Sequence, residues 1–443
     1  MSVITVVVVV GVVLALAAAA SVMAAEYSVV DYGARAGGRA DAAGAFLAAW
    51  AAACGDDGER PVMRVPAGTF LVGRAYFRGP CRSAGGVVLA IDGTVVAPPA
   101  VGNASWITFH YAHGLAIRGG TLDGNGHAFW ACKAAAGRRC PPGTTTLDIS
   151  QSNNVSVKRV TLVDSKNVHV SIFDCAGVTL QGVRIAAPAD SPNTDGIHVA
   201  LSRDVAVLSA TVRTGDDCVS VGPGTSGVAI RNIRCGPGHG ISIGSLGGRA
   251  SEGEVRNVTV ESASLAGTQN GLRIKTWGKP FAGRVSGVRF ANVAMRDVQN
   301  PIVVDQNYCP GNVNCPGQSS GVKISDVEYE GITGTSATTV AVRFDCSGSN
   351  PCTGIRLRNI NLTYDGGGGK PARSFCKNAG GSASGVVIPP SCLRPATARH
   401  GTTPPTYGSK RTMVASTCEN LGDLRRKKQA ILVGVSGSYD GRP

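Results

Sequence analysis

VTLQGVRI at residues 178–185 and VAVLSATV at residues 205–212 share one pattern, with apolar side chains at positions 1, 3, 6 and 8. In the first these are Val178, Leu180, Val183 and Ile185; in the second, Val205, Val207, Ala210 and Val212. One copy lies upstream, at Val155, Val157, Val160 and Leu162, and the next downstream is Val228, Ile230, Ile233 and Cys235. Further copies read Val258, Val260, Ala263 and Leu265, then Val288, Phe290, Val293 and Met295. The last two read Val322, Ile324, Val327 and Tyr329, then Ile355, Leu357, Ile360 and Leu362. Successive copies are offset by 23, 27, 23, 30, 30, 34 and 33 residues. Alternation within each half predicts two short strands joined by a bend, with the apolar residues facing inward.

An all-strand repeat of this length cannot bury its apolar face alone and must stack on its neighbours. The reading is an all-β, single-domain, right-handed parallel β-helix. A leucine-rich repeat would show L-x-x-L-x-L, which does not recur, and a propeller blade needs a longer, four-stranded repeat. Upstream, residues 41–54 are Ala-rich, with Phe46, Leu47 and Trp50 at helical spacing. They predict a short N-terminal helix covering the open end of the stack.

The remaining organisation is read from composition. Residues 1–24 carry no charged side chain and end in Val22-Met23-Ala24, a small-residue cleavage site. They predict a signal peptide, hence a secreted, extracellular protein with no stable membrane association; an uncleaved anchor is the competing reading. Residues 25–393 form the β-helix domain. Residues 394–443 read as an atypical basic tail rich in Pro, Gly and Thr, poorly ordered, with nine Lys/Arg against three Asp/Glu.

Fourteen cysteines fit an oxidising compartment. Spacing suggests Cys132 with Cys140, Cys309 with Cys315, Cys346 with Cys352 and Cys376 with Cys392, and over longer loops Cys54 with Cys81 and Cys218 with Cys235. Cys175 and Cys418 are left without evident partners. No CxxC pair suggests a zinc site, so metal binding by thiolates is not expected. Asn103, Asn154, Asn257 and Asn361 are glycosylation candidates. The net charge of +14 calls for an anionic partner. Nucleic acid fits poorly with a signal peptide and disulfides, and no basic helix or stacking motif supports it. An acidic polysaccharide fits better, bound by a monomer.

Four polar motifs interrupt the repeats: Asn193-Thr194-Asp195, Gly215-Asp216-Asp217, Gly238-His239-Gly240 and Arg273-Ile274-Lys275. Asp195 to Asp216 is 21 residues and Asp217 to His239 is 22, about one coil each. Coils stack about 4.8 Å apart, so these groups are expected to form one cluster. Two or more carboxyls held together suit glycoside hydrolysis, one protonating the leaving oxygen while another handles water or attacks. The cations would hold substrate carboxylates. Singly, each motif has a plain structural reading. Asp beside Gly forms turns, adjacent acids line solvated corners, and Arg-Ile-Lys is an ordinary half-exposed strand. Asp216 and Asp217 can both reach one cleft only where the chain bends.

The stretches SPNTDGIH (191–198), TGDDCVSVG (214–222), CGPGHGISIGSLG (235–247) and RIKTW (273–277) resemble the motifs of polygalacturonases, glycoside hydrolase family 28. DYGA near Asp31, GTLDGNG at 120–126 and QNYC at 306–309 extend the likeness from about residue 27 to about 393. The wording is most similar to plant members, especially the exo-acting pollen type. The resemblance implies inverting hydrolysis of α-1,4-galacturonosyl bonds in de-esterified pectin, in the cell wall. It implies Asp216 as general acid, Asp195 and Asp217 as the pair that holds and deprotonates water, and His239 as tuning the acid or contacting sugar. Asn193, Arg273, Lys275 and Tyr308 would orient the site or bind substrate, and no metal or cofactor is expected.

The motifs alone do not fix exo or endo action. Rhamnogalacturonan or xylogalacturonan hydrolysis on the same fold is an alternative, as is a non-catalytic wall-binding β-helix. A pectate lyase would need an acidic calcium cluster, and none recurs. The stretch GDG-x-TDD, usual in the family, is degraded here to residues 37–41, which touches the cap rather than the site.

Overall fold

The structure, a computed structural model, describes residues 24–102, 104–135, 139–366 and 370–395. Residues 1–23 of the signal segment, residues 396–443 of the tail with Cys418, and Asn103 lie outside the described residues. Strands from Glu26 to Ile388 coil into a solenoid whose consecutive turns pair in parallel. Among the described residues they form a 21-stranded sheet that wraps two sides of the stack and an 11-stranded sheet on the third.

The repeat is the register. Val155, Val178, Val205, Val228, Val258 and Val288 pair one above the next. All are buried, and their column continues the hydrophobic core along the axis. The bend falls at position 5, where Arg159, Gly182, Ser209, Asn232, Ser262 and Asn292 all take positive φ. A single left-handed residue turns the strand without ending the stack.

The seventh copy is corrected. Val288 pairs with Val327 rather than Val322, and Phe290 pairs with Tyr329. Val327 in turn faces Ile355. Val322 and Ile324 instead pair with Gly283 and Val285 in an extended first half. The true position 8 is Gly334, where a Cβ would come within 1.8 Å of the Met295 carbonyl. A glycine at an apolar position hides the correct phase, and the overlapping Val322 phase replaces it.

The cap is helix α1, Ala43–Gly55, two residues inside the predicted start. Phe46 and Trp50 are buried, and Trp50 meets Phe77 and Phe109 at ring distances of 5.4 and 5.3 Å. Leu47 falls off this face and is 37% exposed. A second helix, α2 (His127–Ala134), was not foreseen; it is an insertion in a turn, pinned by Cys132–Cys140. All six expected disulfides form, and Cys175 is free and buried. Asn154, Asn257 and Asn361 are exposed. No helix among the described residues is long and apolar enough to cross a membrane.

Candidate active site

Five consecutive strands of the 11-stranded sheet build the site: β1 (Ile197–Ala200), β2 (Val219–Val221), β3 (Ile241–Leu246), β4 (Asn270–Trp277) and β5 (Asn300–Tyr308). Ile197, Val219 and Ile241 pair in register. Asp195, Asp217 and His239 each lie two residues before these, so they occupy equivalent positions on three successive coils. Arg273 and Lys275 are on β4, which pairs directly with β3, and Tyr308 is on β5. The expected one-motif-per-coil column is therefore present, with the cations on the very next coil.

Asp216 and Asp217 both reach the cleft because residues 214–218 form a bend between two strands. Gly215 permits it: a Cβ there would lie 2.3 Å from the Ser191 carbonyl oxygen. Its N–H donates to the buried Thr194 hydroxyl at 3.0 Å, tying the first two motifs together. The Asn193 backbone N–H donates to Asp216 Oδ2 at 3.0 Å, with Asn193 itself at φ 62°. Asn193 thus orients the acid through its main chain.

Each carboxylate has its own surroundings. Asp216 Oδ1 accepts the Asp217 N–H at 2.8 Å and lies 3.0 Å from His239 Nδ1. Burial pushes its pKa up, but the His239 hydrogen bond and charge, Lys275 and the Asp217 N–H outweigh this and hold it at about 2. Asp217 is 1% exposed, accepting Ser242 Oγ–H at 2.7 Å and Lys275 Nζ–H at 2.7 Å. Asp195 Oδ2 accepts the Ser220 hydroxyl at 2.6 Å. Burial and the neighbouring Asp216 and Asp217 charges raise Asp195 well above the usual carboxylate range.

Lys275 is committed to Asp217 rather than standing free for a substrate carboxylate. The Asp217 charge, with smaller contributions from Tyr308 and Asp195, outweighs burial and raises its pKa. Arg273 is more available. It lies 3.8 Å from Asp305, its guanidinium is 5.0 Å from the Tyr308 ring centre, and its Nε is buried without a hydrogen-bond partner. Asp216, Asp217 and His239 present ligand atoms within 4.8 Å of one another. A cation there would compete with Lys275 and with the N–H donors to Asp216, so this donor set fits proton handling better than metal binding.

Sequence reasoning missed three contributors. His198, Ser220, Ser242 and Arg273 form one outward-facing column across adjacent strands. Ser220 and Ser242 are the hydroxyls beneath Asp195 and Asp217. His198 Nδ1 is 2.8 Å from Ser220 Oγ. Because Ser220 donates to Asp195, the imidazole donates from Nδ1, and burial lowers its pKa to about 4. All three lie inside the quoted motifs; their signal is the coil register, which places 198, 220 and 242 together.

Residues 54–385 match the family model for glycosyl hydrolases family 28, and the chain belongs to that family. It is a glycoside hydrolase. A polygalacturonase of Prunus persica is 51% identical over 371 residues, covering 83% of this chain and 93% of that protein. An exopolygalacturonase of Platanus acerifolia is 39% identical over 369 residues, covering 82% and 96%. Among solved structures, the polygalacturonase from Erwinia carotovora ssp. carotovora superposes with a TM-score of 0.60 at 25% identity, over 82% of this chain and 97% of that one.

Proposed function

We propose that this chain is a secreted polygalacturonase that hydrolyses α-1,4-galacturonosyl bonds of de-esterified pectin in the cell wall. The observation that carries the reading is the cluster itself, three carboxyls and an imidazole on three successive coils beside Arg273 and Tyr308. Asp216 donates a proton to the leaving oxygen, while Asp195 and Asp217 hold and deprotonate the attacking water. The 3.0 Å contact between Asp216 and His239 can hold one proton in two ways. On Nδ1 it leaves Asp216 ionised; on the carboxyl it makes a neutral acid beside a neutral imidazole. A sugar chain that displaces water favours the neutral form, because charge separation costs more at low dielectric. Arg273, whose guanidinium lies over the Tyr308 ring with only a 3.8 Å contact to Asp305, takes a galacturonate carboxylate.

Chain-end attack is supported by the likeness to the Platanus enzyme, and export by residues 1–24 with the six disulfides. Purified protein should release reducing ends from polygalacturonate with no ultraviolet-absorbing unsaturated product. Such a product would identify a lyase and overturn the reading. Monomer alone from the outset marks exo action, and mixed oligomers mark endo action.

A further inference from the structure

The column that carries Ser242, Ser220 and His198 runs on toward the cap. His198 pairs with Ser171, Ser171 with Asp148, Asp148 with Thr108, and Thr108 with Tyr76. Tyr76 therefore lies on the same outward face as the catalytic residues, four coil steps from His198, or about 19 Å. The strand Ala75–Arg78 alternates cleanly: Ala75 and Phe77 are buried while Tyr76 and Arg78 face out. Tyr76 is 42% exposed and Tyr111 37% exposed. His110 sits between them, with ring centres 5.7 Å from Tyr76 and 4.3 Å from Tyr111.

We propose that Tyr76, His110 and Tyr111 form a distal carbohydrate platform that binds galacturonan units of the same polymer several sugars from the bond being cleaved. The proposal rests on the polygalacturonase reading of the cleft and extends it. Aromatic faces suit the apolar faces of sugar rings, and the exposed guanidiniums of Arg74 and Arg78 at the rim suit their carboxylates. In the column itself the positions between platform and acids carry the small side chains of Thr108 and Ser171 on either side of Asp148, with Phe173 at the neighbouring outward position. The acid in this column, Asp148, is tied to Ser171 and Ser150, and burial raises its pKa, while Asp174 at the edge of the track accepts a hydrogen bond from the Gln151 amide. A span of four coils can be bridged only by a polymer, so the platform distinguishes long chains from short ones.

The test uses the full chain carrying Asp216→Asn, so that bound sugar is not consumed, with calorimetric titration of trigalacturonate and of a galacturonan of a dozen or more units. Adding Tyr76→Ala with Tyr111→Ala is expected to weaken binding of the long chain about tenfold and leave the trimer unchanged. Tyr76→Phe with Tyr111→Phe keeps the rings and should restore most of the long-chain affinity. Equal loss at both lengths, no loss at either, or failure of the Phe variant to restore affinity where the Ala variant lost it overturns the platform. Release of reducing ends by the native protein tests the cleft separately. Its absence would defeat the catalytic reading, while the length dependence of binding still decides the platform.

Discussion

On the outer sheet, Arg289, Glu328 and Arg356 stand in register on three successive coils, with Glu330 and Arg358 paired beside them. In the cleft, Asp195, Asp217 and His239 occupy equivalent places on three coils of the other sheet. Both columns come from the same stacking, yet their charges are disposed differently. The outer column alternates in sign and its arginines are exposed: Arg289 reaches Glu330 at 2.6 Å, Arg358 also bonds Glu330, and Arg356 reaches Asp326 at 2.7 Å. There the pairing with Arg289 lowers the Glu330 pKa, as an ordinary ion pair does. The cleft column holds two acids, Asp195 and Asp217, with Asp216 crowded beside them and Asp217 only 1% exposed, and there Asp195 is raised instead. Stacked register is thus neutral with respect to function; sign order and desolvation decide whether a column serves as a stabilising ladder or a reactive site.

The largest effect is expected from Asp216→Asn. Turnover of polygalacturonate should fall by about 10²–10⁴-fold with the melting temperature little changed, the range that general-acid groups contribute. Near-normal rates would show that the cleft column is no more reactive than the outer one. Lys275→Met should also abolish turnover, and it should destabilise the fold by about 3–5 kcal/mol in denaturant titration, because Asp217 is left buried and unpaired. A cost no greater than that of an outer-sheet arginine would erase the distinction between the columns.

Ser220→Ala is more selective. It removes a donor to ionised Asp195, so the Asp195 pKa should rise further and turnover should drop about tenfold. If Asp195 handles water in its ionised form, the acidic limb of the pH–rate profile moves to higher pH. Movement of the basic limb instead would give Asp195 the role of proton donor and reverse the assignment with Asp216. Protein stability offers a parallel check. Because folding raises the Asp195 pKa, the native state binds more protons than the unfolded chain between about pH 4 and that raised value, and stability falls as pH rises through the window. Asp195→Asn should flatten that slope. Glu330→Gln, at the other end of the scale, should leave activity unchanged and the melting temperature only slightly lower; a loss of activity would mean that the two columns are coupled.

Reading the fold from the sequence worked where every repeat position carried an apolar residue and faltered where one did not. The copies from Val155 to Met295 stack as their spacing predicts. The phase at Val322 failed because Gly334 occupies a position where contact with Met295 leaves no room for a side chain. Coils nearer the cap, such as Leu115, Ile117 and Leu122, went unread because Gly120 stands in place of the sixth apolar residue. Helix α2 lies in a turn insertion, where no periodicity operates. At the site, the acids and the imidazole were legible because Asp and Glu (29) and His (7) are few in this chain, and Arg273 and Lys275 because they follow them in motif order. The hydroxyls of Ser220 and Ser242 were not, because serine is common in turns and strands alike, and only its neighbours across the sheet give it a role.

The sequence by itself determined a strand solenoid, its disulfide pairs and the order in which acids, histidine and cations enter the cleft, since each follows from local pattern and coil length. Only the tertiary structure decided that Lys275 belongs to Asp217, that Ser220 and His198 stand behind Asp195, and that Tyr76 shares their face. Those relations depend on which residues lie directly across from one another, and parallel register, unlike periodicity, is set by contacts between coils more than twenty residues apart.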